Sequence, residues 1–148
     1  MAVAAAAGVV VVLFMALPFF VESAPRAYRL KAGNAATLLF QHSSGHPPAG
    51  VGARVKTRVG PGPAYLTFDI DVLDPAFAPG TGTPVAGGLT SREALATLAR
   101  LGEIDFCGMD VVEVCPPFDH ADITAIAAST IVQRYLQMLA AHRRGERF

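Results

Sequence analysis

The sequence predicts an α/β fold built on a parallel sheet. From Ala64 onward, short apolar segments typical of strands alternate with longer segments of helical periodicity, in the order strand, loop, helix, strand, loop, helix. Strands that alternate with helices in this way form parallel sheets with right-handed crossover connections. The second strand segment, DFCGMDVVEV, is nearly all apolar, which is typical of a strand covered on both faces.

Length, composition and charge narrow the class of protein. The chain has 148 residues, of which 52% are hydrophobic and 16% are charged, and its formal net charge is zero. This length suits one domain, and a chain without a basic face has no field that would attract nucleic acid. We therefore expect no nucleic-acid partner. Cys107 and Cys115 lack zinc-type spacing, and Cys107, inside an apolar run, is predicted to be a buried free thiol.

Residues 1–25 are predicted to form an apolar leader. No charged residue precedes Glu22, and the apolar run over residues 2–21 is about as long as a membrane-spanning helix. A secretory signal is a second interpretation, although no Lys or Arg precedes the run. A third interpretation is an atypical start in a truncated or mispredicted chain. The first interpretation would bring this run into contact with a membrane.

Residues 26–60 are predicted to form a poorly ordered linker, because Gly, Pro and Ser interrupt them repeatedly, as in HSSGHPPAGVGA. The segment AATLLF within the linker could form one short strand or a helical turn. His42 and His46 are four residues apart, but the glycines and prolines around them disfavour a helix. We interpret these two as surface-loop histidines rather than as metal ligands.

Residues 61–142 carry the α/β pattern, and residues 143–148 form a basic tail. AYLTFDI is the first predicted strand. In the helix that follows it, Thr90 and Glu93 match a capping box, and Gly102 is predicted to end the helix. The segment HADITAIAASTIVQRYLQMLAAHRR is the last predicted helix. Its packing side is predicted to comprise Ile123, Ile126, Ile131, Tyr135 and Leu139.

Acidic residues follow both predicted strands. Asp69 and Asp71 end the first strand segment, and Glu113 ends the second. Because the carboxyl ends of parallel strands meet at one edge of a sheet, we expect these carboxylates to lie together at the edge where α/β folds bind ligands. Two carboxylates this close repel each other unless a cation is present, so a divalent metal would suit Asp69 and Asp71. Asp74, which precedes Pro75, is predicted to cap the loop.

The spacing of the residues excludes two other interpretations of this segment. An EF-hand loop fails because the sixth position counted from Asp69 is Asp74 rather than Gly. A phosphate-binding loop at GTGTPVAGG fails because no Lys follows the glycines. A structural role for these acids also remains open, in which they cap loops or pair with Arg. Glu113 in particular could pair with Arg92 or Arg134, or with a cationic substrate group.

Two long motifs, TFDIDVLDPAFAPGTGTPVAGGLTSREAL and GMDVVEVCPPFDHADITAIAA, closely resemble the ureohydrolase (arginase/agmatinase) family, and within it the bacterial-type agmatinases. The resemblance covers about Gly60 to Leu139. It implies the three-layer α-β-α parallel sheet of the arginase type, present here as its carboxyl-terminal half. It also implies a cytoplasmic location and assembly into homo-oligomers.

The same resemblance implies a reaction and a set of site residues. The reaction is manganese-dependent hydrolysis of a small guanidino substrate, from agmatine to putrescine and urea, with guanidinobutyrate or guanidinopropionate as alternative substrates. The family uses a pair of Mn2+ ions, for which Asp69 and Asp71 would be ligands. Thr83 would border the substrate pocket, and Glu113 would hold the guanidinium group. No residue of this chain matches a catalytic proton-transfer position.

Four of the family's six metal ligands have no match in this chain. They belong to GGDH and DAHxD motifs, which do not occur in the sequence. A metal pair is not expected to bind tightly to the ligands that remain. The alternative function is therefore a non-catalytic ureohydrolase fragment, or a membrane-tethered interaction piece that depends on a partner for the other ligands.

Overall fold

A computed structural model describes residues 9–14, 35–39 and 51–146. Within these ranges one parallel sheet has the strand order β2-β1-β3-β4, and three α-helices accompany it. The strands are β1 (Val9–Phe14), β2 (Ala35–Leu39), β3 (Ala64–Asp69) and β4 (Phe106–Val112). The helices are α1 (Val51–Val59), α2 (Ser91–Ala99) and α3 (Ile123–Arg143). The predicted parallel α/β sheet is confirmed.

Strand β3 lies at the centre of the hydrophobic core. Ala64, Leu66 and Phe68 on one face are fully buried, whereas Tyr65 and Thr67 on the other face are half-buried. The strand pairs with β1 on one side and with β4 on the other. The same core includes side chains from all three helices, among them Val59, Leu98 and Ile131. The sheet and helices therefore share one core, which fixes the carboxyl end of β3.

Strand β1 lies within the predicted apolar leader. It pairs with β3 in parallel, with Val11 opposite Leu66, and also pairs with β2. These six extended residues differ from the helix expected for a membrane span. Apolar composition does not distinguish the two structures, because an interior strand of a parallel sheet is as apolar as a membrane helix. The rest of the leader lies outside the described residues, and none of the described helices is long and apolar enough to cross a membrane.

Strand β2 and helix α1 lie within the segment predicted to be a poorly ordered linker. β2 pairs with β1 from Ala35 to Leu39, as the strand alternative for AATLLF anticipated. Helix α1 buries Val55 and Val59 in the core. Both elements differ from the predicted linker, because much of its Gly, Pro and Ser falls between or beside them rather than within them. The two linker histidines lie outside the described residues.

Helix α2 begins with the predicted capping box. The Glu93 N–H donates to Thr90 Oγ1 at 3.2 Å, and the Thr90 N–H donates to Glu93 Oε2 at 2.9 Å. These bonds satisfy backbone and side-chain groups that the helix start would otherwise leave unpaired. The helix ends at Ala99, three residues before Gly102. The predicted start is therefore confirmed, and the end comes slightly earlier than predicted.

Helix α3 faces the core with a different stripe from the predicted one. Ile131 and Tyr135 are buried as predicted, but Ile123 and Ile126 are 38% and 60% exposed, so the prediction is wrong for these two. The prediction followed the spacing of the large apolar residues, whereas small and polar residues occupy part of the buried stripe. That stripe consists of Thr124, Ala127, Ile131, Tyr135, Met138 and Ala141.

Strand β4 pairs only on its β3 side within the described sheet, and most of its residues are partly exposed. The register between the two strands shifts by one residue at their start. Phe106 pairs with Ala64, and Gly108 pairs with Tyr65, so Cys107 is skipped. The Cys107 thiol is free and exposed and donates to the Ala64 carbonyl at 3.2 Å. The prediction of a free thiol is confirmed, and the predictions of its burial and of coverage on both faces of β4 are wrong.

Candidate functional site

The carboxyl ends of β3 and β4 lie side by side. Asp69, the last residue of β3, pairs with Val112, the last residue of β4. Glu113 follows directly, and its charge contributes to the raised pKa of Asp69. The prediction that these acids share one edge of the sheet is therefore confirmed, while their roles stay predictions.

A 3-10 turn over Ile70–Val72 brings Asp71 beside Asp69. The Asp71 N–H donates to Asp69 Oδ1 at 3.1 Å, and Asp71 is only 8% exposed. Burial raises the pKa of Asp69 to about 7, and the charges of Asp71 and Glu113 add to this effect against the lowering effect of the Asp71 backbone hydrogen bond. Carboxylates in this arrangement disfavour full ionisation in the absence of a cation.

Thr83 lies against the same acids. Its hydroxyl donates to Asp71 Oδ2 at 2.9 Å, across twelve residues of chain. Thr83 is exposed and Asp71 is buried, so the hydrogen bond between them lies at the boundary between core and solvent. The predicted pocket residue and the predicted metal ligand are thus in direct contact.

The loop that carries Thr83 runs beside Glu113. Thr81 forms an antiparallel bridge with Val114. Residues that follow Thr81 therefore run alongside those that precede Val114, because the two segments have opposite directions. This bridge brings the Thr83 loop and the end of β4 to one surface.

Asp74 caps the connection between β3 and α2. Its Oδ1 accepts from the Ala76 N–H at 2.9 Å, and its Oδ2 accepts from the Gly87 N–H at 2.7 Å. At Gly88 a Cβ would meet the Asp74 backbone nitrogen at 2.5 Å, so the chain approaches too closely for a side chain. The predicted capping role of Asp74 is confirmed, and this contact closes the long loop at its base.

Glu113 adopts an unusual backbone conformation. Its φ angle is 62°, in the left-handed region that residues with a Cβ rarely occupy. Glu113 is exposed at the sheet edge. Such conformations cost free energy and concentrate at functional sites. The conformation turns the chain out of β4 immediately before the bridge to the Thr83 loop.

Sequence reasoning missed two residues that support this surface. The Thr124 hydroxyl accepts from the Gly80 N–H at 2.7 Å, and Asp119 accepts from three N–H groups at the start of α3. An acidic residue just before a helix is a recognised capping signal and could have indicated Asp119. The contact between Gly80 and Thr124 joins positions 44 residues apart and has no local signal.

The acids at the sheet edge meet only part of what a manganese centre requires. Carboxylate oxygens are donors that Mn2+ accepts, and Asp69 and Asp71 supply them. However, the described part of the chain contains no group of three or more His, Cys, Asp or Glu that could hold a metal ion. The donor chemistry is suitable and the donor number is too small. A complete binuclear centre therefore does not fit the described residues.

Comparison with known proteins decides the family. The family model described as the Arginase family matches residues 23–137, which is more than half of the chain and includes all four residues of the predicted site. The chain belongs to the arginase family. This assignment confirms the resemblance noted in the two motifs.

Relatives and solved structures of the arginase family match about two thirds of the chain. The agmatinase of Cronobacter sakazakii is 57% identical over 94 residues, which are 64% of this chain and 30% of the relative. A hypothetical agmatinase from Burkholderia thailandensis matches with a TM-score of 0.60 and 54% identity, over 64% of this chain and 30% of that one. Proclavaminate amidino hydrolase from Streptomyces clavuligerus matches with a TM-score of 0.59 and 49% identity, over 62% and 31%.

These matches confirm an arginase-type α/β fold that is present in part. The chain spans 30% of the length of the curated agmatinase it matches. The sheet edge that carries Asp69 and Glu113 falls inside the matched family region. The matched family region therefore includes this edge of the sheet. Because the chain covers about 30% of these relatives, it contains only part of the family's fold.

Proposed function

We propose that this arginase-family chain acts as an agmatinase-like ureohydrolase. One observation carries the proposal. The residues assigned from the two motifs converge on one edge of the sheet, through the pairing of β3 with β4 and the hydrogen bond from Thr83 to Asp71. Identity of 56–57% to agmatinases over 94 residues of the chain supports the same function.

In this proposal Asp69 and Asp71 are two of the ligands of a manganese pair. Their carboxylates are close enough to repel each other, and a divalent cation would relieve that repulsion. The family's remaining ligands would have to come from outside the described residues, since those residues do not form a group of three or more donors. Thr83 would hold the Asp71 carboxylate in one orientation through its hydroxyl.

Glu113 is proposed to bind the substrate guanidinium. A planar guanidinium presents two parallel N–H donors that match a carboxylate, and Glu113 offers its side chain at the exposed surface of the edge. The overall reaction adds water to the guanidinium carbon and breaks the bond from that carbon to the substituted nitrogen. Agmatine would yield putrescine and urea, and the amine nitrogen would gain a proton as it leaves.

A second candidate function is that of a non-catalytic ureohydrolase fragment. Two observations favour it. The described residues hold no three-ligand group for a metal ion, and the chain spans 30% of the length of the curated agmatinase it matches. In this case Asp69 and Asp71 would have a structural role at the sheet edge, and activity would require a partner that supplies the other ligands.

Manganese binding and urea release distinguish the two functions. The purified chain is titrated with Mn2+ by electron paramagnetic resonance, and urea release from agmatine is measured with and without Mn2+. Under the first proposal, Asp71→Asn abolishes both signals. Asp110→Asn is the control, because Asp110 is an exposed carboxylate of β4 that contacts Tyr65. Urea release that stays at background with saturating Mn2+ would rule out the first proposal for this chain and leave the second.

A further inference from the structure

Helix α3 contacts the Thr83 loop through one buried hydroxyl. The Gly80 N–H donates to Thr124 Oγ1 at 2.7 Å, and Thr124 has no exposed surface. Gly80 opens the sequence GTGTP, whose fourth residue is Thr83. A buried backbone N–H that loses its acceptor costs free energy, so this hydrogen bond ties the loop to the first turn of the helix.

The surroundings of Gly80 leave the loop little freedom to move. Its carbonyl accepts from the Cys115 N–H at 2.7 Å, so both of its backbone polar groups have partners in the connection between β4 and α3 or in α3 itself. A Cβ at Gly80 would lie 2.7 Å from the Cβ of Asp119. Hydrogen bonds and close packing thus fix the same point of the loop.

Thr124 is itself held by Asp119. The Thr124 N–H donates to Asp119 Oδ1 at 2.9 Å. Because this bond holds the backbone of Thr124 at the start of α3, the hydroxyl that accepts from Gly80 is attached at a fixed point.

We propose that Thr124 is a positioning residue for the Thr83 loop, and this inference rests on the proposed function. From Gly80 the loop passes through the bridge of Thr81 with Val114 and reaches Thr83, whose hydroxyl contacts Asp71. Thr124 thereby sets where Thr83 stands relative to Asp71 and to the end of β4. Misplacement of a binding group by about 1 Å is enough to impair a site of this kind.

The alternative is that the Thr124 hydroxyl only stabilises the fold. Amide hydrogen exchange of the full chain, followed by mass spectrometry without metal or substrate, separates the two roles. Thr124→Val keeps the volume and removes the hydroxyl. We expect exchange in a peptide over residues 78–85 to rise by about 5- to 10-fold, which is the loss of one hydrogen bond. Exchange in β3 and in the second half of α3 is expected to stay unchanged.

Two further variants serve as controls. Thr124→Ser restores the hydroxyl and is expected to restore slow exchange in the loop. Thr130→Val removes a hydroxyl of the same helix that donates to the Ile126 carbonyl, and it is expected to leave the loop unchanged. Should Thr124→Val fail to fold, Thr124→Ala replaces it, because it removes the same hydroxyl without adding a second methyl group and is expected to raise loop exchange in the same way.

Unchanged loop exchange in Thr124→Val, or an equal rise across β3 and all of α3, would overturn the positioning role. The outcome is independent of catalysis. Absence of urea release from the unmodified chain would count against the proposed function alone. A loop that stays protected without the Thr124 hydroxyl would count against this inference alone.

Discussion

At the scale of single residues, Glu113 combines a strained backbone with an exposed acidic side chain. Its φ of 62° would suit glycine, yet the residue is glutamate. Ala121 and Asp122, just before α3, share the same left-handed conformation. A left-handed conformation at a residue with a Cβ costs free energy that the surrounding structure must offset. The strain and the proposed guanidinium contact therefore belong to the same residue.

The strain at Glu113 can be measured by comparing two substitutions that both remove the carboxylate. We expect Glu113→Gly to be more stable than Glu113→Ala by about 1 kcal/mol, because glycine adopts positive φ without a steric cost. Urea unfolding followed by circular dichroism gives both free energies. At Asp110, inside β4, the order is expected to reverse, since glycine weakens a strand. Equal stability of the two Glu113 variants would show that the backbone there is unstrained.

At the scale of elements, the start of α3 is organised by a residue that lies before the helix. Asp119 Oδ1 accepts from the N–H groups of His120 and Thr124, and Oδ2 accepts from that of Ala125. Asp122, at the N-cap position, makes no side-chain capping bond. The negative charge also interacts favourably with the helix dipole. Asp119 thus stabilises both the helix and the contact between Thr124 and the Thr83 loop.

The Asp119 cap predicts a pH dependence of stability. Desolvation opposes ionisation, but the hydrogen bonds from Thr124, Ala125 and His120 prevail and lower the pKa of Asp119 below its ordinary 3.8. A lowered folded-state pKa stabilises the fold above the unfolded-state value, and this stabilisation is lost as the pH falls through the folded-state value. The stability difference between the unmodified chain and Asp119→Asn should therefore be constant above about pH 5 and shrink below about pH 4.

Urea unfolding midpoints from pH 7 to pH 2.5 test this prediction. Asp122→Asn provides the matched control, because its side chain makes no capping bond and its removal should leave the pH profile unchanged. A difference between the unmodified chain and Asp119→Asn that persists undiminished at the lowest pH would show that the ionised carboxylate is not the source of the stabilisation.

Local signals explain which elements the sequence could predict. Thr90 and Glu93 lie three residues apart and predict the start of α2. The acids that end two strand segments share one edge because the two strands are parallel. The exposure of Cys107 depends on a register shift between β3 and β4, which no single segment encodes. The hydrogen bond from Gly80 to Thr124 depends on the assembled loop and helix. Prediction from sequence therefore succeeded where spacing along one segment or strand direction decided the outcome.

At the scale of the whole molecule, an apolar groove of about 300 Å³ lies between α2, α3 and the loop after β3. Its lining includes Phe77, Ile123 and Ile126, which are 36%, 38% and 60% exposed. The same two isoleucines were assigned to the core by helical periodicity, and they instead form part of this surface. Adjacent exposed apolar side chains form the kind of surface at which hydrophobic molecules bind.

The groove predicts separate effects of substitution on dye binding and on folding. Ile126→Glu should lower the binding of an anilinonaphthalene dye, because it places a charge in the groove lining. It should change the free energy of unfolding by no more than about 0.5 kcal/mol, since the side chain is exposed. Val132→Glu is the matched control, as Val132 is a 37% exposed apolar residue of α3 outside the groove lining. Fluorescence titration and urea unfolding measure the two effects. An equal loss of dye binding in both variants would place the dye elsewhere, and a large loss of stability in Ile126→Glu would show that this residue packs in the core after all.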